Sequence, residues 1–199
     1  MGKVITSASM SLDGFISGPA ETGFEHLFAW HRNGEVEVPS TDPRWSFRVS
    51  PASARHLREQ LDGFGALVVG RHLFDVTQGW GGNHPFGVPV FVVTHRAPTD
   101  WDHPDAPFTF VTDGLDSAVR QAREAAGERA VGVAAGDLAR QALDAGLLDE
   151  IHVDLVPVLL GGGTRLVGDL AKAPVPLSAP RIVESAGVTH LYFTVGGRS

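Results

Sequence analysis

Apolar residues in this chain fall into short unbroken runs, separated by stretches in which they recur at helical spacing. Residues 66–69 (Ala-Leu-Val-Val) and 88–94 (VPVFVVT) do not alternate with polar positions, the pattern of strands buried on both faces of a sheet, and residues 108–112 predict the next strand. Residues 3–10, with Val4, Ile5 and Thr6, predict a first strand that runs into the turn pair Asp13-Gly14. Ser50 as N-cap and Pro51 in the first turn open a predicted helix with Ala54, Leu57, Arg58 and Leu61 at helical spacing. Gly63 is expected to end it in a left-handed conformation. Asp113 is expected to cap a second helix with the apolar face Leu115, Ala118, Val119 and Ala122, ending near Gly127. Residues 131–163 read as strand, tight turn at Ala135-Gly136, helix (Leu138, Ala139, Ala142 and Leu143 on one face), strand, and a run of glycines. Residues 181–186 and 189–195 predict a C-terminal β-hairpin around Gly187.

Residues 18–50 break this order. They carry Phe24, Phe28, Trp30, Trp45 and Phe47 without clean periodicity, with a candidate short helix at about 25–31. Two readings stand side by side: a lid or binding loop, and a surface excursion whose aromatics fill a satellite core. The whole pattern predicts one α/β domain over residues 1–199.

Composition narrows the function classes. At 199 residues, 43% hydrophobic and 20% charged, the chain can bury a substantial core. A net charge of −7 with no Lys/Arg block argues against nucleic-acid binding. The absence of cysteine removes disulfides, Cys-ligated zinc and thiol nucleophiles. No apolar run approaches the ~18 residues of a membrane span. The first residues lack the basic start and apolar core of a signal peptide, so the expectation is a soluble cytoplasmic protein with no membrane partner.

Ligands of open α/β sheets collect at the carboxyl ends of strands. Here those ends read Gly70-Arg71, Thr94-His95-Arg96, Ala135-Gly136-Asp137 and Pro157 through the glycines at 161–163. Arginine forks and close-approach backbone together suggest a phosphorylated nucleotide. The chain has neither a GxGxxG after its first strand nor a GxxxxGK[ST], which argues against a standard Rossmann site and a P-loop. His26 with His31, and His95 with His103, do not make a zinc-helix pair, and no metal is expected. Ser7, Ser9 and Ser11 lack a GxSxG elbow.

The segments Ser11-Leu12-Asp13-Gly14-Phe15-Ile16, Val69-Gly70-Arg71-His72-Leu73-Phe74-Asp75, Val90 through Arg96, and Ala145 through Gly163 occur in the order found in a known family. The chain resembles the dihydrofolate-reductase-like family that includes the reductase domain of bifunctional riboflavin-biosynthesis deaminase-reductases, over roughly residues 3–195. The resemblance implies a mixed, mostly parallel sheet flanked by helices, NADPH as cofactor, and hydride transfer to a heterocycle or imine. It implies that Gly70 and Arg71 bind the cofactor at the start of a short helix. Thr94 and Arg96 would hold the 2′-phosphate, and Ala135, Gly136, Asp137 and Leu138 would meet the pyrophosphate and nicotinamide side. Ala8 and Ile16 would border the nicotinamide. A homodimer is also implied, with the late strands as a candidate interface. Ala135-Gly136 departs from the family's Gly-Gly, and Asp137 places a negative charge at the same helix start.

Folate reductases polarise their substrate with one carboxylate, for which the candidates here are Asp154 and, in the variable segment, Glu21 or Glu25. Asp154 interrupts an apolar strand, where an unpaired carboxylate is costly. Strand alternation sets it with His152 and Val156, so a solvent-facing or interface position remains the competing reading. Trp30, Trp45 and Trp80 are candidates to stack on a planar substrate. Two functions follow: an NADPH-dependent reductase of a small pterin- or aminopyrimidine-like heterocycle, or a non-catalytic nucleotide-binding or dimerising module with a degraded cofactor site.

Overall fold

The computed structural model describes residues 2–196. Its strands are β1 (Val4–Ser11), β2 (Phe15–Ser17), β3 (Val36–Val38), β4 (Phe47–Val49), β5 (Phe64–Gly70), β6 (Val90–Val93), β7 (Phe108–Val111), β8 (Ala130–Val133), β9 (Glu150–Val156), β10 (Thr164–Arg165), β11 (Arg181–Ser185) and β12 (Val188–Thr194). The α-helices are α1 (Phe24–Leu27), α2 (Pro51–Gly63), α3 (Arg71–Val76), α4 (Leu115–Ala126) and α5 (Asp137–Asp144).

Eight strands form one sheet in the order β11-β12-β9-β1-β8-β5-β6-β7. The run from β9 to β7 is parallel, and β12 and β11 add antiparallel strands at one edge. The chain leaves β1, builds β5, β6 and β7 outward, returns to place β8 between β1 and β5, then crosses to β9 on the far side of β1. Such a reversal opens a crevice at the carboxyl ends of the central strands. Alternation within the strands divides the core. Ala66 and Val68 of β5 join Val131 and Val133 under α4 and α5, while Leu67 and Val69 face the opposite layer with Phe74, Trp80 and Val90.

Residues 18–50 carry a core of their own. Trp30, Val38, Phe47 and Val49 pack on Ala54 and Leu57 of α2 and on Val156 and Val188 of the sheet. Leu27, Val38 and Val49 are fully buried, and each such side chain contributes roughly 1.5–3 kcal/mol over an exposed one. That anchoring makes the segment a wall of the molecule, and the same wall carries aromatics that line a cavity.

The local expectations fare unevenly. Ser50 does cap α2, accepting from the Ser53 amide at 3.3 Å with Pro51 in the first turn. Gly63 does not end α2 in a left-handed turn, because the chain passes straight into β5 through an extended Phe64 (φ −81°). Asp113 does not cap α4; Gly114 (φ 99°) occupies that position with no side-chain cap. The glycines at 161–163 were expected to leave amides open to a ligand, but the Asp13 carboxylate accepts from the Leu160 amide at 3.1 Å and the Gly161 amide at 2.7 Å. The Ser11 hydroxyl first, and then these amides, hold the Asp13 carboxyl down at about 2. Gly163 is required by close packing: a Cβ there would stand 2.0 Å from the Ser17 carbonyl oxygen, at a φ of +118°. The run of glycines thus latches the β9–β10 connection to the β1–β2 turn.

Candidate active site

The carboxyl ends of β5, β6 and β8 bring together the residues expected to hold a cofactor. Gly70 is the N-cap of α3, with no side-chain cap, and Arg71 begins the helix. Gly136 is the N-cap of α5 at φ 83° and ψ −134°, a conformation open to glycine, and it too lacks a side-chain cap. First-turn amides of an uncapped helix have no intrahelical partner and favour an anion. The Gly136 amide itself is committed to the Leu166 carbonyl at 2.8 Å. Ile16 of β2 borders this turn, 3.8 Å from where a Cβ on Gly136 would lie. Leu138 is buried behind it, and Ala135 is half-buried beside it.

The side chains on this edge are partly engaged. Arg71 donates from Nε to Asp75 at 2.7 Å and from Nη1 to the Arg96 carbonyl at 2.8 Å. The Thr94 hydroxyl donates to the same carbonyl at 2.9 Å and accepts from the Arg96 amide at 3.3 Å. Arg96 is exposed and, among the described residues, forms no salt bridge. Asp137 does not hang free before the helix. It accepts from Arg140 at 2.8 Å and Gln141 at 2.6 Å, and the Arg140 bond first and Gln141 second lower its pKa.

Next to this edge lies a cavity of about 240 Å³, lined on the strand side by Ala8, Val133 and Ala134. Its other walls are mostly aromatic: Phe28, Trp30, His31 and Phe47 from the 18–50 segment, and Trp80, His84 and Phe86 from the segment before β6. Trp80 is held at φ 51°, among left-handed neighbours at Gln78, Gly79 and Gly81. Left-handed non-glycine residues are uncommon and collect at functional sites. Arg44, paired with buried Asp42, donates to the Trp80 carbonyl at 3.1 Å and fixes this turn. Burial pushes His31 and His84 down to about 4, so both rings are neutral near pH 7. No Lys, Arg or Glu lines the cavity, and Asp154 is its one carboxylate.

Asp154 is buried, neither solvent-facing nor on the outside of the sheet. Register explains why. Ser9 of β1, Asp154 of β9 and His190 of β12 lie side by side across three strands, and Ser7, His152 and Tyr192 form the row two residues back. Helix α2 lies over these rows and presents Ser53, His56 and Gln60 at helical spacing. His190 donates from Nδ1 to Asp154 Oδ1 at 2.7 Å, and its Nε2 meets the Ser53 hydroxyl at 2.9 Å. His56 approaches the same carboxylate oxygen through Nε2 at 2.9 Å, but off the line of its N–H, so that ring nitrogen lacks a well-directed partner. The other nitrogen of His56 meets Tyr192 Oη at 2.5 Å. Gln60 donates to Ser7 at 3.0 Å and Trp30 to Ser9 at 3.0 Å. Burial alone would raise the Asp154 carboxyl; the bonds from His190 and then His56 outweigh it and hold it at about 2.

His56, Asp154 and His190 set three ligand-type atoms within 4.8 Å of one another. The two rings stack, with centroids 4.0 Å apart and planes 23° off parallel, and both reach one carboxylate oxygen at hydrogen-bond distance. Bonds of about 2.0–2.1 Å to a tetrahedral zinc need lone pairs that converge on one point, which stacked rings do not offer. The arrangement is a hydrogen-bonded cluster. Among the other sequence candidates, Glu25 stands exposed on α1 beside His26 and is not brought to the cavity, because α1 presents Leu27 inward instead. Glu21 pairs with His72 at the surface, and Trp45 is exposed. The pairing of Asp154 with His56 and His190 escaped the sequence reading. Its signal was there in the alternating Ser7/Ser9, His152/Asp154 and His190/Tyr192 and in the polar spacing 53, 56, 60 on a buried helix face.

A mostly parallel sheet with its crevice at β1, β8 and β5, closed by an antiparallel C-terminal hairpin, is the dihydrofolate-reductase-like architecture. The dihydrofolate reductase of Enterococcus faecalis, in complex with NADP(H), superposes with a TM-score of 0.55 at 15% identity, covering 100% of this chain and 98% of that one. A Shewanella sp. PV-4 protein named for riboflavin biosynthesis superposes at 0.70 with 21% identity, over 97% and 98% of the two chains. RibD of Acinetobacter baumannii does so at 0.65 with 14% identity, over 98% of this chain and 58% of its own. Among curated proteins, none matches. The family model of the RibD C-terminal domain matches residues 2–182. The chain belongs to that family.

Proposed function

We propose that the chain is an NADPH-dependent reductase of a small, flat, pterin- or aminopyrimidine-like heterocycle. The observation that carries the reading is an aromatic cavity, with Asp154 as its one carboxylate among the described residues, set against the strand edge that carries the uncapped helix start at Gly136. Two uncapped helix starts at Gly70 and Gly136, glycine-only backbone at Gly136 and an unpaired Arg96 suit phosphate groups. Gly70, Arg71, Thr94, Arg96 and the turn from Ala135 to Leu138 would hold the cofactor, with Ala8 and Ile16 beside its reactive ring. Bound there, NADPH would supply hydride. The protein's share is to stack the heterocycle between Trp30, Phe47 and Trp80, to exclude water, and to present Asp154 to a ring N–H. Family membership supports a reductase class; the substrate and cofactor are our reading.

The competing reading, a nucleotide-binding module without turnover, draws on Asp137 and on the internal bonds of Arg71. Titration with NADPH, followed by cofactor fluorescence, separates the cases when paired with NADPH oxidation over a panel containing dihydrofolate and the riboflavin-pathway aminopyrimidine. Saturable binding with turnover of one substrate supports the reductase. Binding without turnover supports the module, and no binding at high micromolar cofactor removes the reductase. We also read the chain as a homodimer through the late strands, where β11 is an edge strand with Ile182 exposed; sedimentation as a monomer at micromolar concentration would remove that reading. None of the described helices is long and apolar enough to cross a membrane.

A further inference from the structure

A second, smaller cavity lies on the other side of His56. Glu59, Gly63 and Arg181, all exposed, form its mouth, and His56, His152 and Tyr192 form its floor. Gln60 and Phe64 line both cavities and separate them. The connection through the partition is a line of hydrogen-bonding groups: Tyr192 Oη to His56 Nδ1 at 2.5 Å, then His56 Nε2 to Asp154 Oδ1 at 2.9 Å. The hydrogen bond and ion pairs of Asp154 all use Oδ1, and the residue also lines the main cavity.

We propose that Tyr192, His56 and Asp154 form a proton path from the outer cavity to the ligand in the main cavity. Its use in catalysis rests on the reductase reading, in which a heterocycle that gains hydride at carbon must gain a proton at nitrogen. Water in the outer cavity gives a proton to Tyr192 Oη as the phenol passes its own to His56 Nδ1. His56 releases its Nε2 proton to Asp154, and the carboxyl delivers one to the ring nitrogen, which accepts it with the electron pair freed from the reduced C=N bond. One proton enters for each delivered. His56 is left with its proton on Nδ1, and exchange with water restores the Nε2 proton before the next turnover, an exchange left open by the weak direction of its Nε2 bond.

Several features fit transport better than simple packing. The ring nitrogen of His56 that faces Asp154 is a buried polar atom without a well-directed partner, which a purely structural network would satisfy. Burial pushes the Tyr192 phenol up to about 12, so it stays a proton-bearing relay. The titratable and charged groups facing the path are His190 on β12, Glu150 and His152 on β9, Glu59 on α2, His31 in the 18–50 segment and Arg181 on β11, the last stacked 3.6 Å from the Tyr192 ring centroid. His190 ends instead on Ser53, away from the outer cavity, and serves to position the carboxylate.

The test does not need turnover. Ring N–H exchange with water is measured by NMR on protein labelled with ¹⁵N-histidine. His56 and His190 are both buried, but only His56 borders the outer cavity, so the response to changes at Tyr192 is the reading that separates a path from packing. The path predicts that His56 exchanges at least tenfold faster than His190, and that Tyr192→Phe slows it to the His190 rate. Tyr192 is the chain's one tyrosine, so 3-fluorotyrosine labelling changes this phenol alone; its greater acidity should speed His56 exchange in protein that is otherwise native. Equal exchange at both histidines, no response to either change at Tyr192, or stoichiometric zinc uptake by the cluster would overturn the proposal. If exchange behaves as expected but NADPH does not bind, the path stands and the reductase reading fails. Where turnover is found, Tyr192→Phe should lower kcat and raise its solvent deuterium isotope effect while leaving the NADPH dissociation constant unchanged.

Discussion

On one side of the main cavity polar groups stand at open strand ends; on the other they are shut beneath a helix. The edge made by Gly70, Thr94 and Gly136 places backbone amides and an exposed arginine where a ligand can reach them, with no ionisable side chain buried there. Under α2, by contrast, Asp154, His56 and His190 are buried against one another, with Asp154 bonded to His190 and His56 set at the same oxygen. Under the proposed function, binding energy at the first site would come from groups that water already solvates, so losing one would weaken the ligand and leave the fold alone. At the second, each group depends on its partners for solvation, and removing one strands the rest.

The largest effect expected from this contrast is on stability. Asp154→Leu leaves two buried imidazoles without their shared acceptor and should cost about 3–5 kcal/mol in urea denaturation. Asp154→Asn, which keeps shape and an acceptor, should cost less than half as much; equal losses would mean that volume rather than charge holds the cluster. Next comes Arg96→Ala, which should leave stability within about 0.5 kcal/mol and weaken NADPH by about 1.5–3 kcal/mol, while NADH, lacking the 2′-phosphate, changes little. Fluorescence titration with both cofactors decides this, and parallel losses would remove Arg96 from the 2′-phosphate.

Acid should act on the aromatic wall before it acts on the cluster. His31 and His84 are neutral in the fold, at about 4, and protonate near their ordinary 6.5 when unfolded. The unfolded chain therefore takes up protons first, and stability is complete above pH 6.5 and falls toward pH 4. Each ring should contribute on the order of 1–2 kcal/mol between pH 7 and 5. Asp154, depressed from 3.8 to about 2, keeps its contribution down to pH 3.8 and loses it from there to pH 2. Melting curves across this range should show the decline of the upper window reduced in a His31→Phe, His84→Phe double variant, the remainder coming from His152, which burial also lowers. The smallest effect belongs to Asp137→Asn. Its charge already pairs with Arg140, so removing it should tighten NADPH by only about 0.3–1 kcal/mol, as the same titration would measure. A gain of an order of magnitude or more would mean that Asp137 does face the pyrophosphate and that its removal repairs a degraded site.

The two regions also differ in how far they could be read from sequence. The edge is local: Gly70-Arg71, Thr94 through Arg96 and Ala135-Gly136 each sit where an apolar run stops, and in an α/β sheet such stops share one side. The open question there concerned contacts, since Arg71 and Thr94 turn out to be tied to the Arg96 carbonyl. The cluster is non-local. Asp154 and His190 lie 36 residues apart, and His56 reaches them from α2, which is separated from β9 in the chain by the four strands β5 to β8. Alternation alone left Asp154 able to face solvent, because a period of two assigns a residue to a face without saying what covers that face.

Short buried runs, helical spacing and stop residues were enough for the α/β class, the order of its elements and the C-terminal hairpin, because local backbone preference and side-chain periodicity act within a few residues. Tertiary structure alone decided that β12 pairs with β9 in the register that sets His190 beside Asp154, that α2 lies over this row with His56 downward, and that Asp13 rather than a ligand takes the amides of Leu160 and Gly161. Those outcomes depend on which distant groups become each other's solvent once water is excluded, and that is a property of the packed molecule.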